Sequence, residues 1–534
     1  MAPLAAFLGP LIRLGLLSLL ASLVTSADPA WHPPRPLDVQ VVTADASGDG
    51  ASGHPQVLVG GKPFFPIGIT YHFTLHRDSW DEDLEGMRGL GLNTVRIDLG
   101  WRDIEPLAPG RYRFGPLDEF LDTAYRHGMY VVPVFSHTTQ DFNTPLWFWA
   151  MYRDWRVVDQ NGQSPLDDLP CLDHPDYRGR LRDYIEATVS HIKGHPAVLA
   201  YQVLNEPRYG MTELYDYNPY SISAFRQWLL QKYGSLDQLN RAWSTTYGSI
   251  DEVEPWRGSG NQLPTQGPLL RQWSDWRSFG YDDLSSFVGE MARAIKEADP
   301  NHPVIVSEMA WWWWGQQPLT GVSPLHIYQD ADIVGFDLYP DSIGDASYYS
   351  LTADMLARYW RRPVWVMEMN RKDGAPTGED THAFAASALS GGASGVFYFQ
   401  WRDDPSDGGN YGVVDARGRR KPQYGGLAST VRWLRDNGGL AASAAPAPPD
   451  LYLVWPSEAV SEISGDHSPA WDIYKTARRI ADGGLRIGLV AEELIHAVDP
   501  SKLLILRNGQ LEIGKGSSEG TPPRTSGLLL SDDR

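Results

Sequence analysis

The sequence predicts an α/β fold: a (β/α)8 TIM barrel followed by a smaller C-terminal α/β domain. Apolar runs of strand length recur along the first 438 residues and alternate with stretches of helical periodicity. The runs are almost continuously apolar, which is typical of parallel strands buried on both faces. No glycine-rich phosphate turn follows the first run, and this disfavours an open doubly wound sheet. An enlarged barrel is therefore the expected architecture.

The predicted barrel strands follow one another in chain order: Phe65–Thr70, Asn93–Asp98, Met129–Phe135, Val198–Leu204, Pro303–Ser307, Ile333–Phe336, Val364–Met367 and Gly395–Phe399. Amphipathic spacing predicts helices between them, including Asp81–Leu90, Leu117–His127, Tyr177–His191, Ser221–Tyr233 and Phe279–Ala298. The barrel is expected to occupy residues 28–438.

An alanine- and proline-rich stretch, residues 439–450, is expected to be a linker. Beyond it, three apolar runs and a helix near Ala470–Ala481 predict a small flavodoxin- or amidotransferase-like α/β domain over residues 451–513. The runs are Leu451–Trp455, Arg486–Val490 and Leu503–Leu506. The polar residues 514–534 are expected to form a disordered tail.

The amino terminus has the pattern of a secretory signal peptide. Arg13 precedes an apolar run from Leu14 to Val24, and the small residues Thr25, Ser26 and Ala27 follow it. The run is shorter than the roughly 20 apolar residues of a membrane span. We therefore expect residues 1–27 to be a signal peptide and the mature protein to be secreted or periplasmic, without a membrane span.

Composition excludes several classes of partner. Lys and Arg number 46 against 66 Asp and Glu, so the formal charge of −20 disfavours nucleic acid and anionic membranes as ligands. Cys171 is the only cysteine of the chain, which rules out an intrachain disulfide framework and a cysteine-rich metal site. We expect no cofactor and no metal. The 21 tryptophans suit the binding of flat apolar rings.

Two glutamates stand where predicted strands end. The fourth strand ends in Asn205-Glu206-Pro207, and Glu368 closes the seventh. Catalytic groups of such barrels lie at the carboxyl ends of strands, so the two carboxyl groups are expected to meet. Paired carboxylates cleave glycosidic bonds, one as proton donor and the other as nucleophile or base. Each glutamate alone is equally compatible with an ion-paired strand end.

These residues, together with several segments in the same order, resemble glycoside hydrolase family 42, the β-galactosidase-like family among the clan A retaining glycosidases. The segments include Leu92–Ile97, Trp101–Pro106, Thr144–Trp147, His195–Val198, Phe225–Leu229, Asp337–Pro340 and Phe399–Arg402. The resemblance implies that Glu206 is the acid/base and Glu368 the nucleophile of an exo-β-galactosidase acting on oligosaccharides or glycans. The small α/β domain resembles the family's second domain, which is associated with trimers, so a homotrimer is also expected.

Six further residues are expected to bind substrate. Arg96 would stabilise ionised Glu368, and Tyr339 either hydrogen-bonds Glu368 or is an aromatic residue of the rim. Trp401 is predicted to form the floor under the sugar, and Trp101 to lie beside it. Asn205 would bind a sugar hydroxyl, and Glu308 either binds substrate or forms an ion pair. One or two members of the run Trp311–Trp314 are expected to line the site.

Departures from the family pattern leave the sugar open. Residues 165–170 lack the expected arginine, strand five ends in Ser307-Glu308-Met309 where an asparagine is usual, and residues 408–411 replace a Glu and a His. The alternatives are therefore a β-glycosidase or endo-glycanase of other specificity on the same barrel. From another class, a catalytically inactive carbohydrate-binding protein is the rival; the presence of both Glu206 and Glu368 disfavours it.

Overall fold

The computed structural model describes residues 36–43, 54–136, 144–152, 154–164, 170–209, 216–257, 267–310, 320–404, 410–443, 448–455, 469–507 and 510–513. No helix within these ranges is long and apolar enough to cross a membrane.

Eight parallel strands close into a barrel, which confirms the predicted fold class. In chain order they are β4 (Ile67–Thr70), β5 (Thr94–Gly100), β6 (Tyr130–Ser136), β7 (Tyr201–Asn205), β8 (Val304–Met309), β9 (Ile333–Leu338), β10 (Val364–Met369) and β11 (Gly395–Tyr398). Each strand pairs with its neighbour in sequence, and β11 pairs with β4 to close the ring. Every predicted strand is present; β8, β9 and β10 extend two residues further at their carboxyl ends, where the site lies.

A three-stranded antiparallel sheet precedes the barrel. This sheet was not predicted from the sequence. It consists of β1 (Val39–Val42), β2 (Gln56–Val59) and β3 (Lys62–Phe64). The β2–β3 turn is Gly60-Gly61, with φ of 55° and 74°, a left-handed conformation that glycine adopts without strain. Val39 and Val57 pack in one cluster with apolar side chains of the barrel interior. The sheet therefore extends the inner core of the barrel.

Helices surround the barrel. They are α1 (Trp80–Leu90), α2 (Trp101–Ile104), α3 (Gly115–Arg126), α4 (Leu146–Met151), α5 (Pro175–Ile192), α6 (Pro219–Tyr233), α7 (Leu236–Trp243), α8 (Gly267–Ala298), α9 (Ser347–Trp360), α10 (Gly378–Ser390) and α11 (Gln423–Ser443). α8 is twelve residues longer at its amino end than the predicted Phe279–Ala298. α11 ends at Ser443, inside the predicted linker 439–450, because Leu440, Ala441 and Ala442 are strong helix formers.

A small four-stranded sheet follows the barrel. It contains β12 (Leu451–Trp455), β13 (Ile487–Ala491), β14 (Leu503–Arg507) and β15 (Gln510–Ile513) in the order β13-β12-β14-β15. β12 is parallel to β13 and to β14, and β15 is antiparallel to β14. The helix α12 (Pro469–Asp482) matches the predicted one closely. Its Tyr474 stacks on Tyr348 of α9, with ring centroids 3.6 Å apart, so this unit packs against the barrel.

Candidate active site

Glu206 lies directly after β7, at the carboxyl end of the barrel. Its backbone φ is +44°, a region that residues other than glycine rarely adopt. Such strained positions concentrate at functional sites, where the surrounding structure holds them. The Glu206 side chain is 17% exposed, and Arg208 Nη1 lies 3.3 Å from its Oε2. The carboxyl group is therefore partly shielded from water yet open to a ligand.

Glu368 reaches the same place because β10 is irregular. Trp365 and Met367 both belong to the inner core of the barrel. Because strand side chains alternate between faces, the residue after Met367 would normally point outward. The pairing with β9 shifts between Val366 and Glu368, so that Glu368 pairs with Asp337. This bulge turns the Glu368 carboxyl group toward the barrel axis, where it is only 5% exposed.

Arg96 contacts both Glu368 and Asn205, the residue that precedes Glu206. Its Nη1 lies 2.8 Å from Glu368 Oε1, and its Nη2 donates to Asn205 Oδ1 at 2.5 Å. Nε donates to Gln202 Oε1 at 2.8 Å, and Nη1 also donates to Thr70 Oγ1 at 3.3 Å. All three nitrogens are thus hydrogen-bonded, as a guanidinium that is 1% exposed requires. Arg96 holds the Glu368 carboxylate and orients the Asn205 amide.

Tyr339 provides the second contact to Glu368: its hydroxyl donates to Oε2. Burial raises the pKa of Tyr339 well above its usual range, so the phenol stays a donor. Burial also raises the pKa of Glu368 to about 7, opposed by Arg96 and by the Tyr339 hydrogen bond and reinforced by the charge of Glu206. Arg96 and Tyr339 thus favour the ionised form of Glu368 against the effect of burial.

Asp337 completes a group of three carboxyl groups. One oxygen each from Glu206, Asp337 and Glu368 lie within 4.8 Å of one another. Among the described residues these are the only three acidic, histidine or cysteine residues grouped closely enough to share a metal ion. Because Arg96 already neutralises Glu368, the group suits acid/base chemistry better than cation binding. Burial raises the pKa of Asp337 well above its usual range.

Polar and aromatic side chains border this group. Asp98 lies two residues beyond Arg96 on β5, hence on the same face of the strand, and is 27% exposed. His72 Nε2 lies 3.4 Å from Asp98 Oδ2, and its Nδ1 lies 2.6 Å from Oδ2 of the buried Asp404. The Phe399 ring is about 6 Å from those of His72, Tyr339 and Tyr411. Carboxylate, imidazole and ring faces are the groups that bind sugars.

Three predicted substrate contacts are placed elsewhere. Trp101 begins α2 and is fully buried; its Nε1 donates to Glu105 Oε2 at 2.6 Å and its ring stacks on Tyr184. Trp401 is buried beside α1 and donates to Asp83 Oδ1 at 2.8 Å. The structure does not bring either indole to the two glutamates, because the turn after each strand directs the ring into the layer between strands and helices.

Glu308 also lies outside the cluster. Ser307, the preceding residue, donates to Asp337 within the barrel, so Glu308 points to the opposite face of β8. There its Oε1 accepts a hydrogen bond of 3.0 Å from Tyr328, a fully buried residue of the outer layer. The structure therefore does not bring Glu308 to the two catalytic candidates, and it gives this carboxylate a tyrosine partner.

The run Trp311–Trp314 and residues 165–169 and 405–409 lie outside the described residues. Asp337, Asp98, Gln202, Phe399 and Asp404 were missed as site residues. Asp337 carried the same signal as the two glutamates, an acid at the end of an apolar strand. Asp98 was detectable from the period-two alternation with Arg96. Gln202 lies three residues before Asn205, and the pairing of β7 with β8 shifts between them, so strict alternation did not reveal it. Asp404 had no local sequence signal.

Residues 70–434 match the family described as beta-galactosidase, glycoside hydrolase family 42. The chain is 27% identical over 348 residues to the beta-galactosidase bgaB of Geobacillus kaustophilus, covering 60% of this chain and 48% of that protein. It is 27% identical over 363 residues to a beta-galactosidase of Thermus thermophilus, covering 62% and 53%. The chain thus spans about half the length of these curated relatives.

Solved structures agree on the fold. A polyextremophilic beta-galactosidase from Halorubrum lacusprofundi superposes with a TM-score of 0.69 at 22% identity, over 83% of this chain and 69% of that one. The matched family region runs from Thr70, the last residue of β4, to Leu434 in α11, and includes both glutamates. The chain belongs to glycoside hydrolase family 42.

Proposed function

We propose that the chain is a retaining exo-β-glycosidase of β-galactosidase type that removes terminal β-linked sugars from oligosaccharides or glycan side chains. The observation that carries the proposal is the placement of Glu206 and Glu368 oxygens within 4.8 Å at the carboxyl ends of β7 and β10. Retaining glycosidases hold their carboxyl groups about 5–5.5 Å apart, against roughly 6.5–9.5 Å in inverting enzymes. The short separation leaves no room for a water between catalytic groups and sugar.

In the first step the Glu368 carboxylate attacks the anomeric carbon and forms a glycosyl ester. The glycosidic C–O bond breaks, its electron pair goes to the leaving oxygen, and Glu206 protonates that oxygen. Arg96 and Tyr339 hold one oxygen each of Glu368, which orients the carboxylate for attack. Arg96 orients the Asn205 amide, which would hydrogen-bond the sugar hydroxyl next to the reacting carbon.

In the second step Glu206, now a carboxylate, takes a proton from water. The hydroxide formed attacks the anomeric carbon from the face that the leaving group vacated, and the bond to Glu368 breaks. Two inversions restore the original anomeric configuration. Glu206 regains its proton and Glu368 its charge, so both carboxyl groups return to their starting states.

The family and the names of the curated relatives support galactose as the sugar. The departures from the family pattern at residues 165–170, 307–309 and 408–411 support a different sugar preference. A β-glycosidase or endo-glycanase of other specificity is thus the second candidate. A catalytically inactive sugar-binding protein would use the border of the site without turnover.

A panel of aryl β-glycosides and β-linked polysaccharides tests the proposal, with Glu206→Gln and Glu368→Gln as matched controls. We expect the β-galactoside to be hydrolysed fastest, polysaccharides to be poor substrates, and both controls to lose turnover. Proton NMR of the first-formed sugar should show the β-anomer. The α-anomer as first product would overturn the retaining mechanism. Absence of turnover on every substrate would favour the catalytically inactive carbohydrate-binding protein.

Two further proposals concern the whole chain. We propose that residues 1–27 direct export and are removed, and that the mature protein assembles as a homotrimer. Amino-terminal sequencing of the exported protein should begin near Ala27 or Asp28, and light scattering should give three times the chain mass. An amino terminus that retains the apolar run Leu14–Val24, or a monomer mass, would overturn the respective proposal.

A further inference from the structure

Asp337 is a third carboxyl group in a site whose proposed reaction uses only two. It ends the inner face of β9, is fully buried, and lies within 4.8 Å of both Glu206 and Glu368. Its Oδ1 accepts a hydrogen bond of 2.9 Å from Ser307 Oγ. Its buried Oδ2 has no hydrogen-bond partner among the described residues. Because buried polar atoms are nearly always hydrogen-bonded, the absence of a donor to this oxygen requires an explanation.

The two arginine side chains of the site contact the other two carboxyl groups. Arg96 Nη1 lies 2.8 Å from Glu368, and Arg208 Nη1 lies 3.3 Å from Glu206. No lysine or arginine of the described residues forms an ion pair with Asp337. An ionised Asp337 would therefore be a buried charge without a counter-ion, beside two groups of the same sign.

Titratable and charged groups face Asp337 from every element around it: Arg96 of β5, Glu206 after β7, Glu368 of β10, Tyr339 after β9, and the outer-layer Tyr328 and Tyr349. Burial raises the pKa of Asp337 well above its usual range. The charges of Glu368 and Glu206 act in the same direction, and Arg96 and the Ser307 hydrogen bond oppose them.

We propose that Asp337 is a neutral carboxylic acid in the folded protein at neutral pH, with its proton on Oδ2, and that it is a positioning residue for Glu206 and Glu368. It fills the space beside both glutamates without adding a third negative charge, and it offers a donor where an ionised carboxylate would repel. The positioning role rests on the proposed function; the protonation state does not. The proton that moves in the reaction then belongs to the glutamate pair.

The pH dependence of stability tests the protonation state without any substrate. An unfolded aspartate has a pKa of about 3.9. Above that pH and below the raised pKa, the folded protein binds one more proton at Asp337 than the unfolded chain does. The contribution of Asp337 to wild-type stability therefore falls as pH rises through this window. Asp337→Asn has a similar shape and no charge, so its unfolding temperature minus that of wild type should increase from pH 4 to pH 8.

If the difference in unfolding temperature between Asp337→Asn and wild type stays constant or decreases with rising pH, Asp337 is not a neutral acid. Asp83→Asn is the matched control, because buried Asp83 accepts from Arg402 Nε and Nη2, each at 2.8 Å. Removing that ion pair should lower the unfolding temperature at pH 7, because it leaves the buried Arg402 without its carboxylate.

Steady-state kinetics tests the positioning role. Asp337→Asn should keep a kcat about tenfold or more above that of Asp337→Ala, with KM similar in the two, because only asparagine maintains the volume and a donor. Asp337→Ala with wild-type kcat would overturn positioning while leaving the protonation result intact. A wild type inactive on the whole glycoside panel would refute the proposed function, and the unfolding series would still decide whether Asp337 is neutral.

Discussion

Arg96 is the residue on which the geometry of the site depends most. It is nearly inaccessible to solvent and contacts Glu368, Asn205, Gln202 and Thr70 through three nitrogens. A planar guanidinium presents donors in fixed directions, which lysine cannot replace. The sequence signal that identified Arg96 was the position of an arginine inside an apolar strand. Its partner Glu368 was predictable, because a buried arginine requires a carboxylate.

The hydrogen bond from Tyr339 to Glu368 has a measurable effect on the pH dependence of catalysis. A donor to the charged form lowers a carboxyl pKa, so its loss raises the pKa further above about 7. Wild-type kcat/KM should fall as pH drops below about 7, and in Tyr339→Phe this fall should begin at higher pH. Hydrogen bonds to charged groups contribute about 1.5–3 kcal/mol, so kcat should drop about 10- to 100-fold.

The control for this change is Tyr71→Phe. Tyr71 is a buried tyrosine that donates to Asp83 at 2.7 Å, away from the catalytic group. It should lower the unfolding temperature and leave the pH dependence unchanged. A Tyr339→Phe profile identical to wild type would show that Tyr339 does not act on Glu368.

The tryptophans show what sequence alone could not decide. Their positions after strands were correctly read, but the direction of an indole ring depends on the turn that follows the strand. Trp401→Phe removes the donor to Asp83 and should cost about 1–3 kcal/mol of unfolding free energy with KM unchanged. Phe399→Leu, at the border of the site, should raise KM instead. A raised KM in Trp401→Phe would restore the predicted role as sugar floor.

At the scale of elements, β9 and β10 bring Asp337 and Glu368 to the group of three carboxyl groups that Glu206 joins from the end of β7, and Ser307 of β8 donates to Asp337. β8, β9 and β10 each extend two residues beyond their predicted ends, and the bulge in β10 brings Glu368 opposite Asp337. The prediction ended these strands too early because Glu308, Asp337 and Glu368 are charged, and charged residues usually mark strand ends. In the structure these three residues are buried between neighbouring strands of the barrel, so the strands continue past them. The bulge depends on long-range pairing and leaves no local trace in sequence.

Gly335 allows β8, β9 and β10 to approach closely. A Cβ at this position would lie 2.8 Å from Met367 Cγ and 2.9 Å from Ser307 Oγ, closer than van der Waals contact. Gly335→Ala should therefore cost about 1–3 kcal/mol of unfolding free energy and lower kcat, because it displaces the donor to Asp337.

Gly89 offers the matched control for glycine replacement. It is exposed in α1, and an added Cβ meets nothing within 4 Å. Gly89→Ala should raise the unfolding free energy by about 0.5–1 kcal/mol, since alanine favours helix. Equal effects at the two positions would contradict the packing argument.

At the scale of the whole molecule, the order of the barrel strands was predictable from their periodicity and apolar character. The amino-terminal sheet was not. Its strands are three or four residues long, and β3 contains Lys62 and Pro63, so no apolar run marks them. Their role appears only when Val39 and Val57 meet the interior of the barrel.

The contact between the small sheet unit and α9 is the next global prediction. Tyr474 is 1% exposed, stacks on Tyr348, and donates to Asp345 Oδ1 at 3.3 Å. Tyr474→Ala should lower the free energy of unfolding in urea by about 3 kcal/mol or more, because it leaves a cavity between the two units. Lys475→Ala, exposed on the same helix, should have little effect. Equal stabilities would mean that the contact contributes nothing.

The central claim is the division of roles between the two glutamates, and azide rescue measures it most directly. In Glu368→Ala, azide can occupy the space of the missing carboxylate and attack the anomeric carbon of an activated β-glycoside, inverting it to an α-glycosyl azide. In Glu206→Ala the glycosyl-enzyme still forms on Glu368, and azide in place of water gives the β-glycosyl azide. NMR of the two products should show opposite anomers in this order. The reverse assignment, or no rescue of Glu368→Ala, would contradict Glu368 as nucleophile.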